Sequence, residues 1–126
     1  MSLPRKRRIL YIGNMDSGMT SAQRAKALAR LGQDIIPFNL RSYHPRSRLV
    51  AGIRYYAPVG PLIRRVNRDL IDEVRRQRPD VVWFEKPIVF TPATVRTIRA
   101  TGAVTVCYNL DNPFGPRNDR CWYQFK

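Results

Sequence analysis

Acidic residues are scarce in this sequence. Nine Asp and Glu residues stand against 23 Lys and Arg residues, so the formal net charge is +14 at pH 7. Such an excess attracts nucleic acid, an anionic membrane surface or a phosphorylated ligand. The arginines are dispersed along the chain, and no basic stretch alternates with aromatic residues as it does in proteins that bind single strands. We therefore expect a largely solvated positive surface, and a basic nucleic-acid-binding domain remains an alternative.

Histidine, cysteine and long apolar runs are scarce as well. One His and two Cys without CxxC spacing are too few for a metal cluster, so we expect neither a metal nor a cofactor. Cys107 lies in an apolar run and Cys121 in a polar one, which indicates free thiols of a reducing cytoplasm rather than a disulfide. No apolar run approaches the roughly 20 residues of a membrane helix, and no signal-peptide pattern follows the basic start. These absences predict a cytoplasmic protein without a membrane span.

What the sequence does contain is an alternation of short apolar runs with segments of helical periodicity. Strands are predicted at Ile9–Ile12, Ile35–Phe38, Val81–Phe84 and Val104–Tyr108. Helices are predicted after a cap at Thr20 or Ser21, from Pro61 to a point before Pro79, and from Pro92 to Ala100 after a cap at Thr91. This order is typical of an α/β protein with a parallel sheet and helices on both faces. The predicted core contains Ile9, Leu10, Leu28, Val66, Leu70, Val82, Ile98 and Val106.

The chain is expected to form one domain with short extensions. Residues 1–7 form a basic arm, residues 8–116 the α/β domain, and residues 117–126 a tail or the start of a linker to a second domain.

Polar residues collect in the loops that follow the predicted strands. Ligands of open parallel sheets bind beyond the carboxyl ends of the strands. The first loop, Gly13–Thr20, matches neither the GxGxxG spacing of dinucleotide sites nor a P-loop. Two further loops, Glu85–Phe90 and Asn109–Gly115, are expected at the same edge. The candidate ligand-binding residues are Gly13, Asn14, Asp16, Ser17, Glu85, Lys86, Asn109, Asp111 and Asn112.

Asp16 is the candidate catalytic residue among them. A carboxylate in a loop with few competing charges can act as a general base, although Asp-Ser-Gly is also ordinary turn chemistry. Lys86 is the candidate contact for an anion. Glu85 and Lys86 either pair with each other or reach a ligand.

Three other polar residues have less support. Asp111 with Asn112 forms either a weak magnesium site or an Asx-type turn. His44 is the single histidine and is expected to be exposed rather than catalytic.

Several motifs occur together in one order. They are Arg8-Ile-Leu-Tyr-Ile-Gly13, Gln23-Arg-Ala-Lys-Ala-Leu28 with Leu31-Gly32, Asn67-Arg-Asp-Leu70, Arg78-Pro-Asp-Val-Val-Trp83 with Lys86, and Tyr108-Asn-Leu-Asp-Asn-Pro-Phe114. This order resembles the N-terminal half of CgeB-like, spore-maturation-type glycosyltransferases, a bacterial GT-B group. The resemblance extends from Arg8 to Trp122.

The resemblance implies a Rossmann-like domain with sheet order 2-1-3-4, on the acceptor side of a two-domain enzyme. Such enzymes transfer a sugar from a nucleotide-sugar donor to a hydroxyl acceptor. They stabilise the leaving diphosphate with helix dipoles and cations rather than an obligatory metal. The donor-binding domain has no counterpart here, so the chain is expected to need that domain or a partner chain and to be inactive alone. A receiver-like regulatory module is a further alternative, disfavoured because the first strand ends in Gly13-Asn14 rather than in acidic residues.

Overall fold

The computed structural model describes residues 4–43, 60–85 and 89–109. The elements are β1 (Arg8–Gly13), α1 (Thr20–Arg30), β2 (Asp34–Asn39), a 3₁₀ turn (Leu40–Tyr43), α2 (Pro61–Gln77), β3 (Val81–Glu85), α3 (Pro92–Ala100) and β4 (Val104–Tyr108). The predicted strands and helices are confirmed, with small shifts at their ends.

The four strands form one parallel sheet in the order β2-β1-β3-β4, as predicted. Ile12 of β1 is in register with Phe38 of β2 and Phe84 of β3. The strands therefore end close together at one edge of the sheet. Pro37 lies on β2, an outer strand of this sheet. Proline has no N–H to donate to a neighbouring strand, so it is tolerated on an outer strand.

Successive side chains of the strands belong alternately to two separate cores, one on each face of the sheet. Leu10 and Val82 face one side and pack with residues of α2 and α3. Ile9 and Tyr11 face the other side and pack against Ala25 of α1. The period of two along a strand thus gives a three-layer α/β/α arrangement of the Rossmann-like kind.

α2 is the longest helix and carries a continuous apolar stripe. Its Val66 and Leu70 are fully buried, and each such side chain contributes about 1.5–3 kcal/mol to folding. Arg78 caps the carboxyl end of the helix: it takes the left-handed conformation (φ 47°) and donates its N–H to the Val74 carbonyl. Asn67 on the same helix is buried, and its Nδ2 donates to the Val89 carbonyl at 2.9 Å. This bond ties α2 to the segment that leads into α3.

The two predicted helix caps have different outcomes. Thr91 caps α3 as predicted, since its hydroxyl accepts the Thr94 N–H at 3.2 Å. The predicted cap of α1 is wrong: Met19 is the N-cap residue and makes no side-chain cap bond. Ser21 already lies inside the helix, and its hydroxyl donates instead to the Asn14 carbonyl at 2.5 Å.

The predicted core is largely confirmed. Six of its eight residues are buried, namely Ile9, Leu10, Val66, Leu70, Val82 and Ile98. Leu28 and Val106 are only partly buried. On α1 the close approach to the sheet is made by the small Ala25 instead. Val106 lies on β4, the outermost strand on its side of the described sheet.

Candidate functional site

Glu85, the last residue of β3, is the centre of a polar cluster at the carboxyl edge of the sheet. Its Oε1 accepts a hydrogen bond from Arg24 Nη1 at 2.5 Å and one from the Tyr11 hydroxyl. Trp83 Nε1 lies 3.4 Å from the same oxygen. The Glu85 side chain is only 13% exposed. A carboxylate removed from water to this extent requires such donors.

Aromatic rings extend this cluster across three strands. The Trp83 ring stacks with Tyr11 at 5.9 Å and with Tyr108 at 6.3 Å between centroids. The Arg24 guanidinium lies over the Tyr108 ring, 3.8 Å from its centroid, where a cation–π contact is favourable. We call Tyr11, Arg24, Trp83, Glu85 and Tyr108 the Glu85 cluster.

The environment of the cluster fixes the protonation state of Tyr11. Burial raises the pKa of Tyr11 well above its ordinary range, and the hydrogen bond to Glu85 raises it further. Burial opposes the charge of Arg24, but its bonds to Glu85 and Tyr11 leave the Arg24 pKa raised. At neutral pH both side chains are therefore donors to the Glu85 carboxylate.

Gly13 allows the first loop to approach the cluster. A Cβ at this position would lie 3.2 Å from Glu85 Cβ and 3.3 Å from Ser21 Cβ. These distances are shorter than ordinary van der Waals contacts between carbons. The predicted site residues Gly13 and Glu85 are thus neighbours.

The loop after Gly13 is held by its own polar groups. Asn14 Oδ1 accepts the Asp16 N–H at 3.0 Å, which is an Asx-type turn. The Asp16 carbonyl in turn accepts the Met19 N–H at 3.1 Å. Asp16 is therefore part of a turn, as the Asp-Ser-Gly sequence indicated.

The Asp16 carboxylate faces the end of β2. It forms an ion pair with Arg41 Nη1, and the two side chains are 31% and 65% exposed. Asn39 Oδ1 accepts the N–H groups of Met15 at 3.4 Å and Arg41 at 3.1 Å. These bonds connect the first loop to the carboxyl end of β2.

The remaining predicted site residues are placed as follows. Ser17 is exposed on the turn, and Asn109 directly follows β4 and is partly buried. Lys86, Asp111, Asn112 and His44 lie outside the described residues. The loops Glu85–Phe90 and Asn109–Gly115 are therefore described only in part.

Sequence reasoning found Glu85 but missed most of its partners. A charged residue on an amphipathic helix is normally on its outer side, but the Arg24 side chain is only 23% exposed. Tyr11 and Trp83 are in register on neighbouring strands, and Trp83 and Glu85 are two residues apart. Residues at this spacing share one face of a sheet, so the strand pattern contained a signal for part of the cluster.

Within residues 4–43, 60–85 and 89–109, no three His, Cys, Asp or Glu side chains are grouped so that they could hold a metal ion. In the same part of the chain, every helix is too short or too polar to cross a bilayer.

Comparison with protein-family models, with curated proteins and with solved structures finds no match to this chain.

Proposed function

We propose that this chain is the acceptor-side half of a bacterial, cytoplasmic GT-B glycosyltransferase. It binds a hydroxyl acceptor, while a second domain or a partner chain holds the nucleotide-sugar donor, and it is inactive alone. The supporting observation is the loop of Asn14 and Asp16 at the carboxyl edge of a parallel sheet, beside the Glu85 cluster. Ligands of open α/β sheets bind at this edge, and amide and carboxylate groups suit a polyhydroxylated ligand.

Asp16 is the general base in this proposal. Its side chain is partly exposed on the loop, so an acceptor hydroxyl can come within hydrogen-bond distance. The ion pair with Arg41 lies at the surface, where such pairs contribute about 0.2–1 kcal/mol, so an incoming hydroxyl can displace it.

Glu85 takes a positioning role instead. Its Oε1 already accepts from Arg24 and Tyr11, and its side chain is nearly buried. A carboxylate engaged in this way is a poor base for an external hydroxyl. By holding α1 against β3, Glu85 keeps the first loop in place.

The proposal is tested by mapping ligand binding on the whole chain with ¹⁵N-labelled protein. A panel of hexoses and short oligosaccharides is titrated, with uridine diphosphate as a separate ligand. We expect a sugar to shift the amide signals of Asn14, Asp16 and Ser17, and Asp16→Ala to weaken its binding. Asp34→Ala is the matched control, because Asp34 begins β2 at the opposite edge and pairs with Arg8. Sugar shifts located elsewhere, or turnover of a nucleotide sugar by this chain alone, would contradict the proposal.

A non-catalytic ligand-binding module is the second candidate. It is favoured by one observation, namely that Asp16 and Glu85 are both paired with arginines of the same chain. Such a module would bind the same sugars at the same loop. It would give no transfer when combined with a donor-binding domain, whereas the transferase half would.

A further inference from the structure

The arginines of α2 are collected on its outer side. Successive residues of a helix are about 100° apart around its axis and about 1.5 Å apart along it. Five arginines therefore fall within an arc of about 120° and over a length of about 18 Å. They are Arg64, Arg65, Arg68, Arg75 and Arg76. All of them are exposed, and the Arg68 side chain is 70% exposed. The opposite side of the helix is buried in the core. Residues dispersed in the sequence thus form one basic strip.

α3 widens this strip. It packs against α2 on the same face of the sheet and exposes Arg96 and Arg99. The two helices pack on the same face of the sheet, so their outer sides are neighbours on the surface. We call these seven residues the outer arginine face: Arg64, Arg65, Arg68, Arg75, Arg76, Arg96 and Arg99.

Acidic residues neutralise this face only in part. Glu73 bonds Arg76 at 2.6 Å, and Asp69 lies 3.6 Å from Arg65. Asp72 is the acidic residue within the arc. In the described ranges, no carboxylate lies within 4.0 Å of Arg64, Arg75 or Arg96.

The composition of the face favours an extended polyanion that is recognised by its charge. Single-stranded nucleic acids are bound in grooves with stacking aromatic rings, and the exposed positions of α2 and α3 carry no aromatic residue. The apolar sides of both helices are buried in the core. A contact between this face and a lipid bilayer would therefore be electrostatic, without insertion of apolar side chains into the acyl region. An array of exposed arginines on two neighbouring helices suits the anionic headgroups of a bilayer.

From these observations we propose that the outer arginine face binds the surface of an anionic lipid bilayer. This binding is independent of the sugar site, which lies at the carboxyl edge of the sheet, and it does not depend on transfer activity.

The experiment is co-sedimentation of the whole chain with phosphatidylcholine vesicles containing about 30% phosphatidylglycerol at about 0.1 M salt. The test variant is Arg64→Gln, Arg75→Gln and Arg96→Gln together. These residues make no ion pair in the described part of the chain, so the substitutions remove no such internal contact. The control variant is Lys6→Gln, Lys26→Gln and Arg30→Gln together, which removes the same charge from exposed positions outside the face.

We expect the wild type to bind these vesicles and not pure phosphatidylcholine. The test variant should lose affinity by about tenfold or more, and the control by about twofold or less, because only the arginines of the face lie near the lipid charges. Equal losses in both variants, retained affinity in the test variant, or no wild-type binding would overturn the proposal.

A duplex of random sequence is titrated in parallel. If the test variant loses affinity for the duplex but keeps its affinity for vesicles, the face binds nucleic acid and the lipid proposal is wrong. Should the triple variant fail to fold by circular dichroism, Arg64→Gln and Arg75→Gln are compared singly with Lys26→Gln under the same criteria.

Discussion

Arg24 Nη1 lies 2.5 Å from Glu85 Oε1, which joins α1 to the end of β3 across 61 positions of the chain. The Tyr11 hydroxyl of β1 reaches the same oxygen. One carboxylate thus links the two central strands and the helix that follows the first loop. The start of α1 is thereby fixed to the sheet, and the Ser21 hydroxyl of this helix bonds the Asn14 carbonyl of the loop.

Removing Glu85 should therefore destabilise the fold. Glu85→Ala leaves Arg24 and Tyr11 without their shared acceptor. The pair is partly buried, so the loss should lie between the value for an exposed pair, about 1 kcal/mol, and that for a fully buried one, about 3–5 kcal/mol. Glu85→Gln keeps an acceptor oxygen and should cost less. Urea unfolding followed by tryptophan fluorescence, to which the stacked Trp83 contributes, measures both effects.

Glu73→Ala is the control for this comparison. Glu73 bonds Arg76 on the surface of α2, where such a pair contributes about 0.2–1 kcal/mol. A Glu85→Ala variant no less stable than Glu73→Ala would show that the Glu85 cluster does not hold the layers together.

A second prediction concerns the end of α2. Arg78 has φ 47°, a conformation that glycine adopts without the steric penalty of a Cβ. Arg78→Gly should therefore be more stable than Arg78→Ala by about 1 kcal/mol. The two variants lose the same charge, so chemical denaturation reports the backbone effect alone. Equal stability of the two would contradict the left-handed end of the helix.

The elements of the fold could be predicted because they depend on local patterns. Pro92 after Thr91 and the apolar spacing of α2 identify helices directly, and short β-branched runs identify strands. The Glu85 cluster could not be predicted in full, because Arg24 reaches Glu85 from α1, and its position depends on how that helix packs on the sheet. The prediction of the α1 cap was wrong for a related reason. The Ser21 hydroxyl bonds the Asn14 carbonyl, and only the folded loop brings that carbonyl within reach.

The charge distribution shows the same limit. In the sequence, Arg64 and Arg96 are far apart and indicate nothing more than a basic surface. They belong to one face because α2 and α3 pack on the same side of the sheet. The contact between two helices is a tertiary property that helical periodicity alone does not contain.

A third prediction tests the role of Asp16 in transfer. If the chain is the proposed acceptor-side half and a donor-binding domain is supplied, Asp16→Asn should lower turnover by about 10² or more, because the amide cannot take the acceptor proton. Release of nucleoside diphosphate measures the rate. Asp34→Asn serves as the control and should leave the rate unchanged. Full activity of Asp16→Asn would leave Asp16 as a turn residue that binds Arg41.

The fourth prediction concerns alkaline pH and Tyr43. Burial, followed by the hydrogen bond to Asp69, raises the pKa of Tyr43 from 10.0 to about 12. The Tyr43 hydroxyl donates to Asp69 Oδ2 at 2.8 Å, and its ring stacks on Phe38. The folded state therefore favours the protonated phenol. This contribution to stability is complete below the unfolded pKa near 10 and is lost as the pH rises through about 12.

Tyr43→Phe isolates this contribution, because it keeps the stacked ring and removes the group that titrates. The variant should be less stable than the wild type at neutral pH, since the hydrogen bond to Asp69 is lost. Its free energy of unfolding should also fall less steeply than that of the wild type between about pH 10 and about pH 12, because one tyrosine with a raised pKa no longer titrates. Urea unfolding at several pH values gives both slopes. Parallel slopes would mean that Tyr43 ionises alike in the folded and unfolded chains, and that its bond to Asp69 does not stabilise the protonated form.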